Sequence, residues 1–199
     1  MTADPQTLAT YAKRAEEYAD VISRAGPDAD LLAFMDALPP GDAPVLDWGC
    51  GPGNSAAIMV SHEIDVDATD ASPEMAAVAA GLGVDVRIEP FDALDPAPRY
   101  RGIWANFALL HAPPDVVPDL VALAGRALLP GGVLHLGMKQ GSGSARDPIG
   151  RYFSYWQPDD LDRMTRAAGL TPFRTRLGEG NGLDGRIEPF VIHLSRKPA

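Results

Sequence analysis

One cysteine, Cys50, stands in 199 residues. A lone thiol closes no internal disulfide and builds no multi-cysteine zinc site, and no other metal ligand set suggests itself. Positive charge is also scarce: 17 lysines and arginines face 27 aspartates and glutamates, a formal net charge of −10. Nucleic acids and anionic membrane surfaces are held mainly by cationic patches, and no basic cluster occurs here, so neither is an expected partner. No run approaches the roughly 18 uninterrupted apolar residues of a membrane span. The polar opening MTADPQTLATYAKRAEEY has no basic segment followed by an apolar one, so it does not read as a secretion signal. These absences leave a cytoplasmic protein whose partner is a small molecule or another protein. The apolar share of 46% suits one ordinary domain over residues 1–199.

The first forty residues read as helical. Leu8, Tyr11, Ala12, Ala15 and Tyr18 recur at three- and four-residue spacing. Gly26-Pro27 breaks that stripe, and Asp28 to Leu38 reads as a second helix ending at Pro39-Pro40-Gly41. Residues 1–41 therefore predict a helical cap and 42–199 an α/β core. Strands are expected near Val45–Trp48, Ile64–Thr69, Val84–Ile88, Gly102–Phe107 and Val133–Met138, with helices near Asn54–His62, Pro73–Gly81 and Asp115–Leu128. Such alternation means parallel strands joined by crossover helices, hence a doubly wound sheet covered on both faces. A helix over Pro158–Ala168 precedes two more strands, Thr171–Leu177 and Ile187–Ser195. The segment GEGNGLDG between them is too short for a crossover, so this pair is expected antiparallel.

The most informative segment is VLDWGCGPGNSAA, residues 45–57. An apolar strand runs into three glycines, and a helix begins directly after them. Glycine serves where a backbone turns sharply and where a ligand approaches main-chain atoms closely. A dinucleotide fingerprint needs glycine or alanine at the sixth position counted from Gly49, and that position is Asn54. Asp47 just before the loop would repel a pyrophosphate and attract a cationic ligand. Asp70 ends the second strand, placed to accept the two hydroxyls of a ribose. Asp92 follows the third strand, where its carboxylate could accept from an adenine amino group and the Ala93 amide could meet a ring nitrogen. Asp47, Asp70 and Asp92 thus share one edge of the sheet.

Together these segments resemble the class I S-adenosylmethionine-dependent methyltransferases, from roughly Leu8 to the C-terminus. VLDWGCGPG, DATDASPEM and EPFDAL look like the family's first three motifs, NFALLHAPPD like its post-fourth-strand segment, and LLPGGVLHLGMK like its fifth strand with the preceding turn. The resemblance implies a Rossmann-like, seven-stranded, mostly parallel sheet with an antiparallel last strand. It implies S-adenosylmethionine as cofactor and S-adenosylhomocysteine as product. Asp47, Gly49, Gly51 and Gly53 would then hold the methionine part and Asp70 the ribose. Ser72 and Met75 would pack near the adenosine, Asp92 and Ala93 would read the adenine, and Asn106 would lie beneath the methionine end. Tyr11 and Tyr18, in a pattern similar to the cap of small-molecule members, would close over the cofactor. Trp48, and Arg101-Gly102 before the fourth strand, depart from the family pattern.

Methyl transfer is an in-line displacement at an activated carbon, so positioning and desolvation supply much of the acceleration. The candidates for chemistry are His111, titrating near neutrality by type, with Tyr11, Lys139 and Arg151. The Gln140–Gly150 stretch reads as a mobile lid or a solvated loop, and as a lid it would let Arg146 and Arg151 clamp an acidic substrate. Tyr152, Phe153, Tyr155 and Trp156 would line an acceptor pocket or anchor the next helix. His62, His135, His193 and Cys50 read as packing residues. A small-molecule methyltransferase, monomer or homodimer, is the leading expectation. The alternatives are a methyltransferase acting on a protein side chain, a non-catalytic cofactor-binding module, and a nicotinamide-dependent oxidoreductase, which Asn54 disfavours.

Overall fold

The computed structural model describes residues 4–23 and 26–199. The parts of the expected helical cap at residues 1–3, Arg24 and Ala25 lie outside them. The chain begins with α1 (Pro5–Lys13) and α2 (Ala15–Ile22). Asp4 caps α1, its Oδ1 accepting from the Thr7 amide at 2.8 Å, and Pro5 fills a first-turn position where no N–H is needed. The stripe expected from Leu8 to Tyr18 is therefore two helices, interrupted at Arg14. Asp28 caps α3 (Ala29–Ala37) by accepting from the amides of Asp30 and Leu31.

The alternation follows as β1 (Val45–Trp48), α4 (Asn54–Ser61), β2 (Val66–Asp70), α5 (Pro73–Ala80), β3 (Val86–Ile88), β4 (Tyr100–Asn106), α6 (Val117–Ala127) and β5 (Leu128–Lys139). Two short strands, β6 (Ser144–Arg146) and β7 (Tyr152–Ser154), precede α7 (Pro158–Ala167), β8 (Thr171–Asn181) and β9 (Ile187–Arg196). The main sheet has seven strands in the order β3-β2-β1-β4-β5-β9-β8. β1 to β5 pair in parallel, and β9 runs antiparallel to both β5 and β8, as the short connection required. Strand order reverses at β1 and β4, which opens a crevice at their carboxyl ends.

Apolar alternation along the buried strands feeds two cores. Leu46, Trp48, Ile103 and Leu134 meet α6 and α7 on one face, while Val45, Trp104 and Val133 meet α3 and α4 on the other. Trp48 is buried, so its departure from the family pattern belongs to packing. The Gly102 departure has a similar cause: a Cβ there would run into Leu38 and Phe34, so glycine lets α3 lie close on the sheet. α3 is thus a layer of the core, and only α1 and α2, beside α5, stand over the sheet edge as a cap.

Within Gln140–Gly150, Ser144–Arg146 is strand and most of the rest is bends and turns. β6 and β7 form an antiparallel hairpin, with Ala145 opposite Phe153. Its turn is closed by the Gly150 amide donating to the Asp147 carbonyl at 3.0 Å, with Gly150 at φ +93. Among the described residues no helix is long and apolar enough to cross a membrane.

Candidate active site

At the crevice the chain leaves β1 through Gly49, Gly51 and Gly53, at φ +77, +55 and +79. This loop is hydrogen-bonded inward. The amides of Gly49 and Cys50 donate to the Thr69 carbonyl at 2.8 and 2.9 Å, Gly51 donates to Asp70 Oδ2 at 2.8 Å, and Gly53 donates to the Cys50 carbonyl at 3.1 Å. Pro52 has no N–H to give. A pyrophosphate needs a cradle of available amides, and the loop spends its own on the protein, which counts against the nicotinamide alternative.

The three glycines do different work. Gly49 and Gly51 line the cavity; Gly53 does not. A Cβ at Gly53 would stand 2.8 Å from the Ala79 Cβ, so this glycine lets α4 pack against α5. At Gly51 the nearest atom to such a Cβ is a Tyr18 ring carbon at 3.7 Å, across the cavity side of the loop.

The cavity measures about 790 Å³, within the range of small-molecule sites. Asp47, Asp70, Ser72 and Met75 line it at the β1–β2 side, and Tyr11, Tyr18 and Asn106 also border it. Asp70 Oδ1 accepts from the Ser72 amide at 2.8 Å, and burial pushes its carboxyl above the usual range while the Ser72 and Gly51 amides pull it back. Ser72 takes the capping duty, its hydroxyl accepting from the Met75 amide at 3.2 Å, which leaves Asp70 to face the cavity.

Asp92 and Ala93 are not among the cavity-lining residues. The chain passes through a 3₁₀ turn at Phe91–Ala93, and the Ala93 amide donates to the Pro90 carbonyl at 3.1 Å. Phe91, which the sequence did not single out, supplies the wall there and packs edge-on to Trp48.

Asn106 ends β4, and its Oδ1 lies 3.0 Å from Nε2 of His135. His135 is fully buried, stacked on Trp104 with ring centroids 3.6 Å apart, and burial holds it well below its usual titration range, so it is neutral. Among the described residues its Nδ1 has no partner, and an unmet lone pair costs less than an unmet donor, so the proton sits on Nε2 and is donated to Asn106. That leaves the Asn106 amide nitrogen for the cavity. Gly137 opposite permits this, since a Cβ there would collide with the Asn106 carbonyl oxygen.

A second chain of bonds ties the cap to the core. Arg151, buried, donates from Nε to Asp147 at 2.8 Å and from Nη1 to the Tyr11 hydroxyl at 3.1 Å. The Tyr11 hydroxyl lies 3.0 Å from His111 Nε2, and His111 Nδ1 lies 2.7 Å from the Tyr152 carbonyl. A carbonyl only accepts, so Nδ1 carries the proton and Nε2 accepts from Tyr11. Burial first, with help from Arg151 and Lys139, lowers His111 to about 4. Burial raises the Tyr11 phenol above its usual value. His111 is therefore neutral with its lone pair engaged, which does not fit the general-base role expected of it. Lys139 is paired with Glu188 and sits over the Phe153 ring. Arg146 pairs with Asp4 at 2.7 Å and is not itself in the lining, so of the two expected clamping arginines only Arg151 lines the cavity. Of the four aromatics at 152–156 only Phe153 lines it; Tyr155 and Trp156 pack against the core. The β8–β9 turn and Phe190 complete the wall, and no motif marked them.

A methyltransferase domain family matches residues 45–132, from the start of β1 into β5. A trans-aconitate 2-methyltransferase of Methylobacterium nodulans is 33% identical over 191 residues, 92% of this chain. This chain is thus similar to methyltransferases along most of its length. It spans 63% of the length of that relative, and 45% of a trans-aconitate 2-methyltransferase of Variovorax paradoxus that is 37% identical over 122 residues, 58% of this chain. Among solved structures, a Burkholderia thailandensis 1,6-didemethyltoxoflavin-N1-methyltransferase superimposes with TM-score 0.72 at 22% identity, covering 96% of this chain and 87% of that one. The cyclase SpnF reaches the same TM-score, 0.72, at 18% identity over 99% of this chain and 98% of its own. The methyltransferase fold is thus shared with a protein named for other chemistry, so the activity has to be argued from the site.

Proposed function

We propose that this chain is an S-adenosylmethionine-dependent methyltransferase acting on a small-molecule acceptor. The observation that carries the proposal is the pair of carboxylates, Asp47 and Asp70, lining the cavity beside a glycine loop whose amides are turned inward. That acceptor set suits a cationic ligand with vicinal hydroxyls. Asp47 would hold the ammonium of the methionine part, Asp70 the ribose hydroxyls, and Met75 and Phe91 the flat sides of the adenosine. Bound there, S-adenosylmethionine supplies an activated methyl carbon.

The protein's own part is binding, orientation and exclusion of water. Tyr11 and Tyr18, with ring centroids 5.1 Å apart, form the roof that the cap presents to the cavity. The Asp147–Arg151–Tyr11–His111 chain fixes that roof to the core. Among the described residues, three of the expected candidates offer no ready base: His111 is engaged, the Tyr11 phenol is held protonated, and Lys139 is paired with Glu188. An acceptor that arrives already nucleophilic, such as a carboxylate, fits this wall best. The relatives named trans-aconitate 2-methyltransferase support the same direction. We take the chain to act in the cytoplasm as a monomer or homodimer, which fractionation and sedimentation would check. Incubating it with S-adenosylmethionine and a panel of small organic acids should release S-adenosylhomocysteine above the acceptor-free rate; no release with any acid would refute the proposed reaction class.

A further inference from the structure

Resting on the methyl-transfer reading of the site, we infer that the acceptor carries a flat aromatic ring and that Phe107, together with Phe190, selects for it. Asp70 ends β2, Asp47 lies on β1, Asn106 ends β4 and Phe190 lies on β9, and the sheet runs β2-β1-β4-β5-β9 over this stretch. With the ribose at Asp70 and the methionine part between Asp47 and Asn106, the acceptor is left the end of the cavity toward β9. Phe107 and Phe190 both line the cavity and are only partly buried, so they present ring surface to it.

Phe107 holds that position at a conformational cost. Its backbone is left-handed, φ +53, which a bulky L-residue seldom adopts. The other described non-glycine residue at positive φ is Glu63, exposed in the turn after α4 and away from the cavity. The Phe107 amide donates to the Gly137 carbonyl at 2.9 Å. A Cβ at Gly137 would stand 3.1 Å from that amide nitrogen, so glycine on β5 lets the strained residue sit close. Glycine at 107 would make the same turn without the cost. The ring is therefore there for what it touches, as strain kept at a functional site implies.

Within the wall its neighbour is Phe190, with ring centroids 5.5 Å apart and ring planes at 85°. Phe190 is fixed from β8. Gly178 lies opposite it in the β8–β9 pair, and a Cβ there would come 2.6 Å from the Phe190 Cζ. The Arg176 guanidinium, closed on Asp30, stands 5.0 Å from the Phe190 ring centre. Two rings at right angles form a corner. A third flat ring stacked along one of them meets the other edge-on, and both arrangements are favourable between aromatics. A saturated ring is thicker and has no π face to offer. The corner thus discriminates by flatness and π character as well as by apolarity.

Calorimetric titration with matched pairs of acids, each with and without saturating S-adenosylhomocysteine, tests this. The pairs are benzoate with cyclohexanecarboxylate, 3-phenylpropionate with 3-cyclohexylpropionate, and 2-naphthoate with decahydro-2-naphthoate. Burial alone favours the saturated member, which has the larger apolar surface. In at least one pair the aromatic member should nonetheless bind about threefold or more tighter. A smaller preference in every pair, or no aromatic member binding at millimolar concentration, would overturn the inference. An aromatic preference in a chain that does not bind S-adenosylhomocysteine would keep the corner and lose the methyl-transfer reading. Phe107→Leu keeps apolar bulk and removes the ring, so its aromatic preference should at least halve; a residue that only packs the core would leave the preference intact. Phe190→Leu, with the same expectation, serves if melting shows that Phe107→Leu does not fold. A folded variant with the parent's preference would remove that residue as a determinant.

Discussion

Replacing Gly53 by alanine puts a methyl carbon 2.8 Å from the Ala79 Cβ and 3.3 Å from its Cα, on a backbone at φ +79. The left-handed conformation costs an L-residue about 1 kcal/mol relative to glycine. Forcing a methyl between packed helices adds about 1–3 kcal/mol, for a total of about 2–4 kcal/mol. In a chain of this size each kcal/mol lowers Tm by about 2–4 °C, so Gly53→Ala should lose about 4–16 °C. Gly51→Ala meets only the Tyr18 ring, at 3.7 Å, and carries the backbone cost alone, about 2–4 °C. Ligand binding should reverse the order. The Gly51 methyl stands on the cavity wall and should weaken S-adenosylhomocysteine more than about tenfold, whereas folded Gly53→Ala should bind within about twofold of the parent. Thermal melts followed by calorimetric titration at low temperature read both. A Gly53→Ala protein that melts like the parent, or that folds and fails to bind, would refute this division of labour.

His111 falls to about 4 in the folded chain from an ordinary 6.5, so on acidification the unfolded chain takes up a proton first. Folding stability should therefore drop as pH falls through that window, by about 3 kcal/mol from this group, with the lowered His135 and His193 adding in the same direction. Urea unfolding at stepped pH should show the loss, with a shallower slope for His111→Asn; a flat profile would contradict the burial argument. His135→Phe removes the donor behind Asn106, at the β4 side of the glycine loop and away from the Asp70 ribose end. It should weaken S-adenosylhomocysteine about tenfold and leave 5′-methylthioadenosine, which lacks the amino-acid part, within about twofold. Equal losses for both ligands would mean a purely structural histidine.

The parts legible in the sequence were those whose cause is local. VLDW predicts β1 to the residue because four buried apolar or strand-end positions run straight into glycines. Ser72-Pro73 marks the start of α5 because hydroxyl cap and proline act within one turn. The antiparallel β8–β9 pair follows from chain length alone. What stayed hidden depends on distant partners. The β6–β7 hairpin looks like loop composition, and it is fixed by α1, where Thr7 Oγ1 accepts from the Tyr152 amide at 2.8 Å and Thr10 donates to the Ile149 carbonyl at 3.2 Å. His111 looks like a base because its type titrates near neutrality; its burial and its bond to Tyr11, a hundred residues away, are invisible in spacing. Asp92 was expected at the site because strand ends usually face ligands; the cavity lining includes its neighbour Phe91, at the start of a 3₁₀ turn, and not Asp92. The break at Arg14 has no cause we can identify in the sequence, which runs on with helix formers.

Titration of the chain with S-adenosylmethionine in a calorimeter puts the Asp47–Asp70 pocket to its most direct test. One saturable site in the micromolar range is predicted, about −8 kcal/mol, weakened substantially by Asp70→Ala. Heats that never saturate, or an Asp70→Ala protein that binds as tightly as its parent, would contradict it.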